Sequence, residues 1–253
     1  TTFIRNGPNE GNLAAYCEAL RDIQTARQEL AALSLDNCRV IGETLTTLDQ
    51  EGTEKLGTLF GELLQSCSEP FELNMVTMAG IAPQPIDEQL TTKLALIASF
   101  LSETDKPSRL YVDVRGKYII LSIQPLLSIP NQEPLSYQRG THPLILALRA
   151  LKDIIVPVER DLCQKVLPDS VGLLERALKP VATIFLGHLN LIGKECLTLC
   201  DGLNHRFLEF VYLLDVLEEA YLMTQTSADM AITFQMCFQT LLDYCKQWFE
   251  RLL

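Results

Sequence analysis

The sequence predicts an all-α protein, an elongated rod of stacked antiparallel helical hairpins or bundles. Three observations carry this. Apolar residues recur at steps of three and four in every long segment. Leu, Ala, Glu and Gln are plentiful while β-branched and aromatic runs are scarce, a balance that favours helix over strand. Proline- and glycine-rich punctuation divides the chain into lengths that single helices can fill. Helix is therefore expected over more than about two-thirds of the residues, with no sheet of three or more strands.

In FIRNGPNEGNLAAY, Gly7-Pro8-Asn9 reads as a turn. Asn9 or Asn12 is placed to cap the following helix, and Glu10 suits the positive end of its dipole. Leu13, Tyr16, Leu20, Ile23 and Leu30 form one stripe, interrupted by Arg27, so a helix is expected over 9–33. A second, capped by Ser34 or Asp36, runs to about residue 67 on Cys38, Ile41, Leu45, Leu48, Leu56, Leu59, Phe60, Leu63 and Leu64. The polar stretch DQEGTEK (49–55) interrupts its stripe and predicts loose packing or a bend at Gly52. These two helices are expected to pair antiparallel across a very short connection.

Residues 68–87 hold three prolines and no sustained period. They read as a loop whose Phe71, Leu73, Met75 and Val76 lie against the helices. Further helices are expected over 89–101 and from Pro107, tolerated in a first turn, to about 123. YVDVRGKYII (111–120) is the one cluster of β-branched residues, and a sheet there would overturn the fold class. The stretch 128–143, with three prolines and a glycine, is the expected boundary. It separates a first helical module, 1–125, from a second, 142–253, through a linker at 126–141. Helical patterns then cover 143–166, 169–198, 202–224 and 228–252. Pro157 and Pro180 fall inside the first two. An interior proline costs roughly 3 kcal/mol, so each predicts a kink or break that lets the second set continue the stack. A compact chain of this length would have a radius of gyration near ~18 Å, and the stacked rod ~25 Å or more.

The net charge of −11 is unevenly spread. Residues 1–100 carry six basic and fourteen acidic side chains; from Arg139 to Lys194 eight basic residues face five acidic ones. With no dense Lys/Arg cluster, nucleic acid and anionic membrane are poor partners. The eight cysteines sit mostly inside helical patterns, with no secretory signal before them, and are expected to be reduced and packed as small hydrophobes. The most apolar segment, VATIFLGHLNLIG (181–193), is too short to span a bilayer and reads as a buried helix. The chain opens without Met on a well-capped helix, as expected of a piece of a longer protein.

No Gly-rich phosphate loop or nucleophile elbow is present. The three histidines, His142, His188 and His205, are too scattered for a hydrolytic triad to be inferred. Asp215, Glu218 and Glu219 come nearest to paired acids one turn apart, and read as a solvated face. Cys196 and Cys200, flanked by His188 and His205, have a spacing that can chelate zinc. They also fill the stripe of Leu189, Ile192 and Leu199, so core packing is the expectation. No catalytic, cofactor-binding or metal residue is assigned, and no cofactor is expected. A protein that works through its surface is the reading the residues support.

Two stretches carry a resemblance. FIRNGPNEGNLAAYCEALRDIQTA resembles the family of the exocyst subunit of about seventy kilodaltons, which has an Ile-Arg-x-Gly-Pro turn before a helix in which Tyr and Leu recur. The matching residues are Ile4, Arg5, Gly7, Pro8, Tyr16 and Leu20. In LALIASFLSETDKPSRLYVDVRGKYIILSIQPL (94–126), Tyr111, Arg115 and Gly116, with Ser122 following, match that family's Tyr-x-x-x-Arg-Ser/Gly helix. ALRALKDIIVPVERDLCQKVLP and LLERALKPVATIFLGHLN look like its next module.

The resemblance implies a cullin-repeat-like rod, here its N-terminal half, without the preceding coiled coil and the basic C-terminal module. It implies a non-enzymatic scaffold of the exocyst that helps to tether secretory vesicles to the plasma membrane, cytoplasmic and peripheral at sites of exocytosis. The implied partners are other exocyst subunits and Rho-family small GTPases, with plasma-membrane phosphoinositides reached only through the missing C-terminal module. The alternative is an unrelated helical-repeat adaptor.

Overall fold

The structure, a computed structural model, describes residues 2–33, 39–70, 86–128, 138–168, 170–198, 203–226 and 228–252. Most of the described residues are helical, and no strand occurs among them. In chain order the helices are α1 (Thr2–Asn6), α2 (Leu13–Leu33), α3 (Arg39–Ser66), α4 (Glu88–Phe100), α5 (Lys106–Leu127), α6 (Pro143–Ala150), α7 (Val156–Val166), α8 (Leu173–Thr198), α9 (Leu203–Thr226) and α10 (Ala228–Leu252). A π-helical turn, Leu151–Ile155, joins α6 to α7. The β-branched run 111–120 lies wholly inside α5. The expected second-helix caps, Ser34 and Asp36, the loop residues 71–85 and most of the proposed linker, 129–137, lie outside the described residues.

The chain divides into two compact units. The first is drawn from Thr1–Ser68, Ile86–Val114 and Leu162–Ser170, the second chiefly from Arg115–Asp161 and Val171–Leu253.

In the first unit α2 packs on α3, with α1 and α4 each against both. Gly7 ends α1 with φ of 85°, a left-handed conformation that favours glycine, and its amide donates to the Ile4 carbonyl at 3.2 Å. The same carbonyl accepts from Tyr16 Oη at 2.9 Å, and Lys55 Nζ donates to the Arg5 carbonyl. Two of the orphan carbonyls of this short helix are thus taken up by side chains from α2 and α3. Asn9 and Asn12 both serve the next helix. Asn9 Oδ1 accepts from the amides of Gly11 and Asn12, each at 3.0 Å, and Asn12 Oδ1 accepts from the Asn9 amide at 2.7 Å. Regular helix starts at Leu13, later than the pattern indicated, because this reciprocal pair occupies residues 9–12.

The stretch 49–55 corrects the expectation of looseness. α3 runs unbroken through Gly52, which is buried, and a Cβ there would overlap the Leu20 side chain. Asp49 is buried as well, accepting from Arg27 Nη1 at 2.7 Å and Gln24 Nε2 at 2.9 Å. The polar residues interrupt the apolar stripe because they meet polar partners on α2, and the glycine lets the two helices approach closely. Tyr16, Leu20, Leu56, Phe60, Leu64, Leu94 and Ile97 complete this core with no exposed surface.

In the second unit α10 packs along α8 and α9, and α9 also meets α6. Pro157 does not break the helix, which widens before it into the π turn: the Val156 amide reaches back to the Leu151 carbonyl. Proline offers no amide to the carbonyl four residues earlier and crowds it, and the widened turn accommodates both. Pro180 does not break α8. It is exposed, so water can take the carbonyl that it frees. The apolar segment 181–193 is amphipathic and not buried all round: Phe185 is fully buried and Leu189 nearly so, while Leu191 is 60% exposed. Phe185 meets Phe234 edge to face at 5.9 Å, and Gly193 leaves room for the Tyr244 ring.

Among the described cysteines, Cys17, Cys67, Cys163, Cys237 and Cys245 are free thiols. Burial pushes Cys237 up to about 12 and Cys245 up to about 11, which keeps them protonated as small apolar groups. Cys38 and Cys200 lie outside the described residues, as does the side chain of Cys196.

Candidate functional site

Three constructions stand out as built from charge or from the motif residues. The first surrounds the Gly7 turn. Tyr16 is fully buried, its ring 5.7 Å from that of Phe3, and burial raises its hydroxyl to about 12. It remains a hydrogen-bond donor across the ordinary pH range. The Ile-Arg-x-Gly-Pro pattern and the later Tyr are one device: a glycine turn whose carbonyl is held by a tyrosine hydroxyl.

The second is the ion pair of Arg115 with Glu159. Their side chains are 1% and 0% exposed. Arg115 Nε donates to both carboxylate oxygens at 3.0 Å and Nη2 donates to Oε1, while the guanidinium lies 4.0 Å from the Tyr118 ring centroid. At the neighbouring Gly116 a Cβ would sit 3.2 Å from the Ala177 carbonyl oxygen, so small size at this position permits α5 to approach α8. Sequence reasoning gave Arg115 no partner. The signal was present: Arg115 replaces an apolar residue in the buried series Tyr111, Ile119, Ser122 and Leu126, and Glu159 does the same in Ile155, Leu162 and Val166.

The third corrects the reading of Asp215, Glu218 and Glu219 as a solvated face. Asp215 and Glu219 are buried. Asp215 takes Arg139 Nε at 3.1 Å and the Gly140 amide at 3.2 Å; Glu219 takes Arg149 Nε at 2.9 Å and Lys152 Nζ at 3.4 Å. Glu218 stays exposed, with Arg139 Nη2 at 2.5 Å. These acids anchor α9 to α6 and to the residues that precede α6. His142 belongs to the same region. Its Nδ1 accepts from the Leu144 amide at 3.2 Å as the cap of α6, and burial lowers its pKa to about 4 against a weaker opposing effect of Asp215. It is a neutral capping residue.

Each construction is saturated by protein partners and fastens helices to one another. None presents a nucleophile beside a base or an open ligand set. Of the residues weighed as a zinc site, His188 is half-buried on α8; Cys200 and the side chains of Cys196 and His205 lie outside the described residues. Among the described residues no group of three or more His, Cys, Asp or Glu could hold a metal ion, and no helix is long and apolar enough to cross a membrane. The first unit also carries two clefts. One, about 660 Å³, is lined by polar residues including Gln24, Gln28, Gln50 and Glu103; the other, about 370 Å³, is lined largely by small and hydroxyl side chains.

No family model matches the chain. The exocyst complex protein EXO70 of Yarrowia lipolytica is 25% identical over 131 residues, which is 50% of this chain and 21% of that protein. A structure of Exo70 from S. cerevisiae is similar with a TM-score of 0.76 at 14% identity, covering 97% of this chain and 46% of that one. A crystal structure of the exocyst component Exo70p from the same yeast gives 0.72 at 14% identity, covering 98% and 47%. The matched stretch therefore covers about a fifth of the curated relative, and the chain covers about half of the solved ones. The fold likeness runs almost end to end along this chain, and the sequence similarity covers half of it independently of the fold. Together they show the Exo70 fold along nearly the whole chain and a sequence similarity to an Exo70 protein over half of it.

Proposed function

We propose that this chain is a non-enzymatic scaffold segment of the exocyst, contributing to the tethering of secretory vesicles through protein–protein contacts. The observation that supports it most is the match to the Exo70 fold over 97% of the chain, joined to a separate sequence similarity to an Exo70 protein. The geometry agrees in kind. Its charged clusters are spent on joining helices within each unit, which leaves the outer faces for partners. Exposed apolar side chains such as Ile232 and Met236 on α10, 62% and 67% exposed, lie on such a face. The proposed partners are other exocyst subunits and Rho-family small GTPases, and the proposed location is the cytoplasm, peripheral at plasma-membrane sites of exocytosis. The two helical modules, 1–125 and 142–253, remain the proposed working divisions.

Affinity purification of the full-length protein containing this chain tests the reading, with companions identified by mass. Co-purification of several exocyst subunits in comparable amounts is the expected result. A stable complex that lacks them would instead favour an unrelated helical adaptor.

A further inference from the structure

The connection between α4 and α5 reads Leu-Ser-Glu-Thr-Asp and lies in neither helix. From Ser102 to Asp105 every residue is exposed. The two hydroxyls of the connection differ. Thr104 Oγ1 donates to the Leu101 carbonyl at 2.9 Å, whereas the hydroxyl of Ser102 has no partner among the described residues. Acidic residues follow Ser102 at the first and third positions, Glu103 and Asp105. A kinase with a basic substrate groove selects this arrangement, because the carboxylates lie just beyond the reacting hydroxyl. Asp105 is 3.2 Å from Arg109, with both side chains more than half exposed, a pairing that solvent weakens and a stronger basic groove can displace.

The surroundings supply a place for the product. Ser102 borders the cleft of about 370 Å³, whose walls, all in the first unit, also include Ser99, Ser108, Lys165 and Ser170. The Ser108 and Ser170 hydroxyls lie 3.3 Å apart. An ammonium and several hydroxyls around one opening match the needs of a phosphate ester: a positive charge and donors for its three oxygens.

We propose that Ser102 is a phosphorylation site for an acid-directed serine kinase, and that the phosphoryl group settles in this cleft against Lys165. In the transfer, Ser102 Oγ attacks the γ-phosphorus of ATP while its proton passes to the kinase's base. The bond between that phosphorus and the β–γ bridging oxygen breaks, and ADP leaves. The ester carries a charge near −2 at neutral pH. The proposal stands apart from the exocyst reading, since it uses only the α4–α5 connection and its cleft.

The test uses the folded chain with casein kinase 2 and radiolabelled ATP. Trypsin does not cut at Lys106-Pro107, so the label should appear in the peptide Leu94–Arg109, and fragmentation should place it on Ser102. Ser102→Ala should abolish labelling of this peptide, and Glu103→Gln with Asp105→Asn should lower kcat/KM about tenfold. Label confined to other serines, or labelling of a synthetic 94–109 peptide but not of the folded chain, would overturn the site. Phosphorus NMR tests the cleft: the phosphoserine should titrate about half a unit below the usual value near ~6, and Lys165→Gln should restore it. An unshifted titration would overturn the contact with Lys165.

Discussion

Glu159→Leu removes the carboxylate that faces a guanidinium with 1% exposure. Arg115 cannot shed its proton, so its charge remains in the interior. It loses the two Nε bonds of 3.0 Å and the Nη2 bond to Glu159, and no water replaces them without opening the packing. The Tyr118 ring offers about 1–2 kcal/mol of cation–π attraction, less than the deficit. Truncating one partner of a buried pair costs about 3–5 kcal/mol. In a protein of this size that corresponds to a fall in melting midpoint of roughly 10 °C. Arg115→Met combined with Glu159→Leu removes both charges and keeps volume, so most of the loss should return. Urea denaturation followed by Trp248 fluorescence measures this in the right place, because Trp248 is the chain's one tryptophan and is buried in the same unit. A single-variant loss below about 1 kcal/mol would mean that the pair is not desolvated. A double variant as damaged as the sum of the singles would show that packing, not charge, was lost. Either result refutes the argument.

The cap at His142 predicts a pH dependence. An unfolded histidine binds a proton below about 6.5, but this one does not until about 4, so its share of stability is complete above 6.5 and is lost as pH falls from 6.5 to 4. His142→Asn keeps a cap acceptor without titrating, so the stability gap between wild type and variant should change by about 2 kcal/mol from pH 7.5 to pH 5; a constant gap in urea titrations contradicts it. Gly52→Ala should cost about 1–3 kcal/mol through overlap with Leu20, read as faster amide exchange in α2 and α3, and unchanged exchange would show that the helices are loosely packed there. Vesicles containing phosphatidylinositol bisphosphate should not retain this chain at about 150 mM salt, since useful affinity needs about four clustered cations. In the densest set, Lys106, Arg109, Arg115 and Lys117, Arg115 is buried on Glu159, and Glu103, Asp105 and Asp113 dilute the rest. Robust co-sedimentation would reveal a basic surface elsewhere.

Most helices were legible in the sequence because helix formation is local. Spacing of three and four, Asn9 and Asn12 ahead of Leu13, and Pro143 opening α6 are each decided within a turn or two. The Gly7 turn was legible for the same reason. What a charge does on a helix is not local. Arg27 read as an interruption and proved to be the partner of Asp49, 22 residues away. Arg115 and Glu159 are 44 residues apart, and Asp215 and Glu219 lie 76 and 70 from Arg139 and Arg149. A carboxylate beside apolar neighbours reads the same whether water or a guanidinium faces it, and only the packing of a second helix decides which. Gly52 and Gly116 follow the same logic: the sequence marks flexible positions, while contact with Leu20 and with the Ala177 carbonyl makes them points of close approach. Periodicity along the chain therefore determined the helical class of this protein, and the pairing of helix faces determined which polar residues became its joints.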